Sequence, residues 1–230
     1  MMKAIHEIHQ IFFFSKNTEL SATPTNITKI LSLLTPFGLM PTINNEIDLA
    51  TSAKKQILSM IHMDETLRVE FPSSGIMISK EGGTAKEFLN LAISILEALK
   101  TLIPLARSNR ISLINTKFFT GTEAQFKETY NRLFTYKSVS PIEWENRIVL
   151  REELPSINEE INKVSTVRRT EVRSPFINQL EATDLVMFEI DTNTLPFNTE
   201  ARFSIENAID IYKKFNEIQD QLFEELKRYE

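Results

Sequence analysis

The chain has 230 residues, a formal net charge of −5 and no cysteine. The acidic balance argues against a generally basic nucleic-acid binder, and the lack of cysteine excludes disulfides, thiolate nucleophiles and cysteine metal sites. The N-terminus has no basic segment followed by a long apolar run, and the apolar stretches elsewhere are too short to span a membrane. We therefore expect a cytoplasmic protein without membrane contact.

The first half of the chain predicts a strand, a helix, three strands and a long helix. The strand is indicated by a dense apolar run, the first helix by Pro24 at its start with Pro36 and Gly38 at its end, and the long helix by a capping box that begins at Thr84. A loop rich in Thr, Asn and Asp is predicted over 42–52. The predicted elements are a strand at 5–14, a helix at 24–34, strands at 56–63, 67–71 and 75–79, and a helix at 84–105.

The second half predicts the same order of elements. A second capping box begins at Thr122, and the closing helix carries apolar residues at a spacing of three and four. The predicted elements are a strand at 111–119, a helix at 122–134, strands at 144–150, 158–173 and 184–191, a loop at 192–198 and a helix at 199–229.

This repeated order predicts an α+β fold with two pseudo-repeated halves, 1–108 and 109–230. In each half we expect an antiparallel sheet packed against long helices, with function at the seam between halves or on an outer sheet. The runs 12–14 and 118–119 place phenylalanine on both faces of a strand. Strands that are apolar on both faces are covered on both faces, by helices, by the other half or by another subunit.

Carboxylates form the first candidate site. Val186, Phe188 and Ile190 share one face of the last strand, so Glu189, Asp191 and Asn193 share the other face, towards its end. Oxygen ligands in this arrangement suit Mg²⁺ or another hard cation if a third carboxylate joins them, and two acids also suit proton transfer. A solvent-facing strand that ends in an Asp–Asn turn explains the same residues without a ligand.

Arginines form the second candidate site. Arg147, Arg169 and Arg173 lie on neighbouring predicted strands, and Trp144 begins the first of these strands. A guanidinium binds phosphate or an acidic partner through a planar fork of donors, and a lone tryptophan between glutamates suits an interface or groove. Many glutamates share the same stretch, so cross-strand ion pairs on a solvated sheet are the competing interpretation.

Other catalytic patterns are missing from the sequence. There is no P-loop, no dinucleotide fingerprint and no G-x-S-x-G elbow. His6 and His9 point to opposite faces of the predicted strand, so they do not chelate one ion together. The sequence therefore implies no cofactor, and an enzymatic role is without support.

The second half resembles a known family in three short motifs. These are Trp144-x-x-Arg147, then Glu160-x-Asn162, then the run from Ile190 to Thr194 before a closing helix. Over 142–229 the chain is similar to a family of uncharacterised bacterial proteins of about this length, sporadically distributed among genomes. The resemblance transfers no chemistry to any residue; the sporadic distribution implies an accessory or defence-associated gene.

Three functions follow as expectations. The first is a non-enzymatic binding or assembly protein of a prokaryotic cytoplasmic complex, which associates with itself or with another protein subunit rather than with nucleic acid. The second is a metal-dependent hydrolase that uses Glu189 and Asp191. The third is recognition of a phosphate-bearing ligand or nucleic acid by the sheet face of Arg147, Arg169 and Arg173.

Overall fold

The computed structural model describes residues 2–17, 19–47 and 51–227, and it confirms the α+β class. The helices are α1 (Pro24–Leu34), α2 (Ala85–Lys100), α3 (Glu123–Leu133) and α4 (Ile205–Leu226). The strands are β1 (Lys3–Phe14), β2 (Leu39–Ile47), β3 (Lys54–His62), β4 (Leu67–Glu70), β5 (Gly75–Glu81), β6 (Arg107–Ser108), β7 (Arg110–Thr120), β8 (Trp144–Leu154), β9 (Glu159–Val172), β10 (Thr183–Thr194) and β11 (Phe203–Ser204). None of the helices in these ranges is long and apolar enough to cross a bilayer.

Nine strands form one antiparallel sheet in the order β2-β3-β4-β5-β1-β7-β10-β9-β8, so the prediction of a separate sheet for each half is wrong. The first strands of the two halves, β1 and β7, lie side by side over most of their length. Each half begins at the middle of the sheet and returns to it, because β5 pairs with β1 and β10 pairs with β7. The first half has one strand more than the second, and the repeated element order stays a prediction.

All four helices pack on one face of the sheet. Alternate strand residues such as Phe13 and Leu113 point to this face and join α2 and α4 in a large apolar cluster. Residues Phe188 and Ile190 lie on the same face further along the sheet, in a second cluster that includes the end of α4. Helix α4 contributes to both clusters and therefore joins the two halves.

In the part of the chain that the structure describes, no helix lies over the other face of the sheet, and we call it the open face. Phe12 and Phe14 lie there, partly exposed, whereas Phe13 is buried on the helix face. Of the three covers predicted for strand 5–14, the described helices supply one on the helix face only. Coverage by another protein stays a prediction.

The helix starts confirm the sequence patterns. Thr84 with Glu87 and Thr122 with Gln125 form complete capping boxes, in which each pair exchanges side-chain and backbone hydrogen bonds. These caps satisfy backbone N–H groups that have no partner inside a first helical turn. They fix where α2 and α3 begin on the sheet.

Two predicted loops are wrong in part. The segment 42–52 is strand up to Ile47, because β2 pairs with β3 along its whole length; most of its side chains are exposed, so no apolar alternation marked it. Residues 48–50 lie outside the described residues. The segment 192–198 begins as strand, since the buried Thr192 and Thr194 continue β10.

The predicted ends of two helices also differ. Helix α2 stops at Lys100, ahead of Pro104, and α4 begins at Ile205 rather than at residue 199. Its side-chain cap is Ser204, which lies in a two-residue strand paired with β6. Residue 229, where the closing helix was predicted to end, lies outside the described residues.

Candidate functional site

The centre of the open face is an aromatic and aliphatic patch. Phe12 and Phe14 stack with ring centroids 5.5 Å apart, and the Arg110 guanidinium lies 4.9 Å from the centroid of the Phe14 ring. Partly exposed apolar side chains surround these rings on neighbouring strands; they are Ile8, Met77, Ile114 and Met187. The sheet thus presents apolar surface where a soluble domain normally has polar side chains.

Small buried hydroxyl residues bind the candidate carboxylates at the border of this patch. Ser112 and Thr116 on β7 lie directly opposite Asn193 and Glu189 on β10. The Ser112 hydroxyl donates to Asp191 Oδ1 over 2.8 Å, and the Thr116 hydroxyl donates to Glu189 Oε2 over 3.3 Å. The strand pairing therefore places β10 carboxylates within reach of β7 donors.

Asp191 and Asn193 continue a polar row across the sheet. The Asn193 amide donates to the second Asp191 carboxylate oxygen over 3.0 Å and accepts from Asn162 on β9 over 3.2 Å. Arg151 on β8 donates to Asn162 over 3.4 Å. Four side chains from three strands thus form one hydrogen-bonded row on the open face.

Glu189 has a perturbed acidity. Burial raises the pKa of this carboxyl above its ordinary value, the hydrogen bond from Thr116 lowers it in part, and the negative charge of Asp191 raises it further. The positive charge of Arg147 acts in the opposite direction. Glu189 is therefore suited to donate a hydrogen bond or a proton at a higher pH than an exposed glutamate does.

The arrangement offers little to a cation. The described residues contain no group of three or more histidine, aspartate or glutamate side chains that could hold a metal ion. Both carboxylate oxygens of Asp191 already accept hydrogen bonds from Ser112 and Asn193. The three residues of the predicted metal site do share one face, and they are joined to hydrogen-bond donors there.

The structure does not bring the three candidate arginines together. Arg147 lies on the open face opposite Thr166, whereas Arg169 pairs with Trp144 on the helix face. Arg173 follows the end of β9, is exposed and donates to Glu171 over 3.2 Å. Of the arginine set, Arg147 alone lies near the carboxylates, where it influences Glu189.

Arg169 is held by the protein itself. Its side chain is only 5% exposed and donates to Asp184 at 2.6 to 3.1 Å and to Glu123 at 2.5 and 3.1 Å. The guanidinium also lies over the Phe126 ring, 4.9 Å from its centroid. These contacts raise the pKa of Arg169 and lower that of Glu123, so Arg169 ties α3 to β9 and β10.

Trp144 is a core residue under α3. It is buried against Tyr130 and Phe134, with the Phe134 ring at 5.9 Å in an edge-on arrangement. Its indole N–H is buried without a hydrogen-bond partner. The ring therefore packs within the protein rather than on the open face.

No protein-family model matches this chain, and a search of curated proteins also found no match.

Sequence reasoning missed a buried polar chain beneath the centre of the sheet. Gln219 of α4 is 1% exposed and donates to the Leu113 carbonyl over 2.7 Å, to Thr192 over 3.2 Å and to the Ile190 carbonyl over 3.3 Å. Asn115 on β7 donates to Gln219 Oε1 over 2.5 Å. The chain anchors α4 to β7 and to β10, the strand that carries Glu189 and Asp191.

The polar chain ends at His9, and its direction follows from the backbone. Carbonyl oxygens only accept, so the Gln219 amide nitrogen is the group that faces the Leu113 and Ile190 carbonyls. The Gln219 oxygen then accepts from the Asn115 amide nitrogen. The Asn115 oxygen is left to accept a further hydrogen bond. His9 Nδ1 lies 2.7 Å from that oxygen, and its Nε2 lies 3.3 Å from the Gly83 carbonyl. The one signal in the sequence was a glutamine inside the apolar stripe of α4.

A cavity at the seam of the two halves is a second place where a ligand could bind. Its volume is about 580 Å³, and it lies where β1 ends and β7 begins, next to Ile103 and Arg107. Asn17, a buried polar residue of its wall, uses its amide to bond the Pro72 and Gly75 carbonyls. The amide of this buried wall residue is thus already bonded to the chain's own backbone. We therefore place the candidate site on the open face, where exposed apolar and polar groups adjoin.

Proposed function

We propose that the protein is a non-enzymatic binding or assembly protein of a prokaryotic cytoplasmic complex, and that the open face receives another protein. The observation that carries this proposal is the apolar centre of a nine-stranded sheet whose helices all pack on the opposite face. Apolar surface of this kind is stabilised when a partner removes it from water.

The size of the open face supports a protein partner. Nine strands at a spacing of about 4.8 Å make a sheet roughly 40 Å wide, and a strand of nine or more residues is roughly 30 Å long. A typical stable interface buries about 800 Å² on each partner. The open face is therefore large enough for such an interface, whereas a small ligand would cover only a fraction of it.

The composition of the open face favours a protein over nucleic acid. Phe12, Phe14 and Arg110 supply aromatic and guanidinium contacts, which are enriched at protein interfaces. Acidic and basic side chains, among them Glu189 and Arg147, share the open face with them. A nucleic-acid surface requires a net positive stripe, so this balance argues against the third expected function.

The test is calorimetry with a purified partner. Proteins that co-purify with the wild-type chain, but not with Phe12→Thr, are purified and titrated against both. The matched control is Phe197→Thr, because Phe197 is 79% exposed in the turn after β10 rather than on a strand of the sheet. We expect binding to wild type and to the control and its loss with Phe12→Thr. Equal binding to all three proteins, or no partner that depends on Phe12, contradicts the proposal.

The hydrolase alternative is tested separately. Titration of the wild-type chain with Mg²⁺ or Mn²⁺ is expected to give no heat of binding, because the described residues bring no third carboxylate or histidine to Glu189 and Asp191. A binding isotherm that disappears in Asp191→Ala would replace the binding role with metal-dependent chemistry.

A further inference from the structure

The edge strand β8 has the properties of a self-pairing strand. It is the last strand of the sheet and pairs with β9 from Trp144 to Leu154 without a register shift. Its outer edge presents backbone N–H and C=O groups that are free to pair with another strand. Its middle segment, Ile148–Val149–Leu150, is apolar and exposed, with 50%, 47% and 53% of the respective surfaces accessible.

The opposite edge strand, β2, is less suited to pairing. It carries Pro41, which has no backbone N–H and is a common means of blunting a sheet edge. Its exposed apolar residues Met40, Ile43 and Ile47 are separated from one another. Strand β8 has neither proline nor glycine along its eleven residues.

An uncovered groove adjoins β8 on the helix face. It has a volume of about 120 Å³ and lies between β8, β9 and the end of α4. Its apolar lining includes Ile148, Leu150, Val167, Leu222 and Leu226. Helix α4 therefore covers the helix-facing side chains of β8 only in part. A strand paired with the outer edge of β8 would bury more of their apolar surface.

The charges on β8 narrow the registers in which a second copy of this chain can pair with it. In an antiparallel pair with a two-fold axis perpendicular to the sheet, centring on Val149 would place Arg147 opposite the partner's Arg151, with like charges. Centring on Ile148 instead places Glu145 opposite the partner's Arg151, and the same pair forms again by symmetry. Centring on Leu150 also opposes unlike charges, Arg147 and the partner's Glu153. Of these two registers we take the one whose central pair is the β-branched Ile148, a residue type that strands favour. Opposite charges in directly opposed positions stabilise a strand pair, and like charges destabilise it.

We propose that β8 is a homodimer interface, in which two copies pair antiparallel about Ile148. This register also sets Ile148 against the partner's Ile148 beside the two grooves, so that apolar surface is buried there. The sheets then continue from one copy to the other, and both open faces point to the same side. The interface goes beyond the binding role of the open face and does not depend on it.

Charge reversal tests both the interface and its register. Light scattering after size-exclusion chromatography is expected to give a wild-type mass of twice 26.5 kDa. Glu145→Arg and Arg151→Glu each create two like-charge pairs, so each variant is expected to dimerise about tenfold more weakly or worse. Mixed together, the two variants regain opposite charges at both positions and are expected to form a heterodimer.

The control is Lys86→Glu, an exposed reversal on α2 that is expected to leave the dimer intact. A monomeric wild type at all concentrations overturns the proposal, and so do single variants that remain dimeric or a mixture that stays monomeric. Circular dichroism verifies that each variant is folded. Phe12→Thr should still dimerise, and the two edge variants should still bind an open-face partner, so failure of one proposal does not imply failure of the other.

Discussion

Replacing Gln219 with leucine tests the anchor that holds β10 and its carboxylates in place. The substitution keeps the approximate size of the side chain and removes both amide groups. Asn115 Nδ2, which donates to Gln219 Oε1, is then left buried without its acceptor, and an unsatisfied buried group costs about 1–3 kcal/mol. The bonds to Thr192 and to two strand carbonyls are lost as well. We expect Gln219→Leu to lower the free energy of unfolding by about 2–3 kcal/mol.

The assay is urea unfolding followed by fluorescence. Trp144 is the single tryptophan, and it lies in the same apolar cluster as Leu222 of α4. With a slope of about 2–3 kcal/mol per molar urea, the midpoint should fall by about 1 M. The matched control is Gln221→Leu, two residues away on the exposed side of α4, which is expected to change stability by less than about 0.5 kcal/mol.

A double substitution sharpens this test. Asn115→Leu combined with Gln219→Leu removes the donor together with its acceptor, so the combined loss should be smaller than the sum of the single losses by about 1–2 kcal/mol. If Gln219→Leu behaves like Gln221→Leu, or if the two losses simply add, the polar chain does not anchor the sheet and the reasoning is refuted.

Three further predictions concern the same framework. Burial raises the pKa of Glu189, so the folded state holds this proton more tightly than the unfolded chain, and the free energy of unfolding falls as pH rises above about 4.5. Glu189→Gln should therefore stabilise the protein near pH 7 and have no effect in acid. Unfolding curves at both pH values measure this difference. Gly75 has a φ of +142°, and a Cβ there would lie 2.1 Å from the Phe13 carbonyl oxygen. At Gly82 the atom nearest to a Cβ would be 3.9 Å away. Gly75→Ala should therefore lower the melting temperature far more than Gly82→Ala does. Arg169→Met removes ion pairs from a buried site and should also lower the melting temperature; an unchanged value would show that Arg169 does not tie α3 to the sheet.

Patterns that are local in sequence predicted most of the elements. The capping boxes at Thr84 and Thr122 located the starts of α2 and α3, and alternation placed Glu189, Asp191 and Asn193 on one face. Strand β2 was missed because its side chains are exposed on both faces of an edge strand. Such a strand has no apolar period by which it could be recognised.

Properties that depend on strand pairing could not be predicted. Alternation fixes the faces within β8 and within β9, but only their register shows that Arg147 and Arg169 lie on opposite sides. In the same way, Gln219 lies 104 residues from Asn115, and nothing local connects them. The single sheet also depends on the pairing of β1 with β7, which joins halves that looked separate in the sequence.

Position-specific photo-crosslinking in the native cells tests the binding role of the open face most directly. A photoreactive phenylalanine analogue is placed at Phe12, Met77 or Met187 on three strands of the open face, and at Phe197 or Tyr136, which are exposed elsewhere. The account predicts that the three open-face probes crosslink the same protein and that the two control probes do not. If the open-face probes give no discrete adduct, or if all five probes give the same one, the open face is not the binding surface.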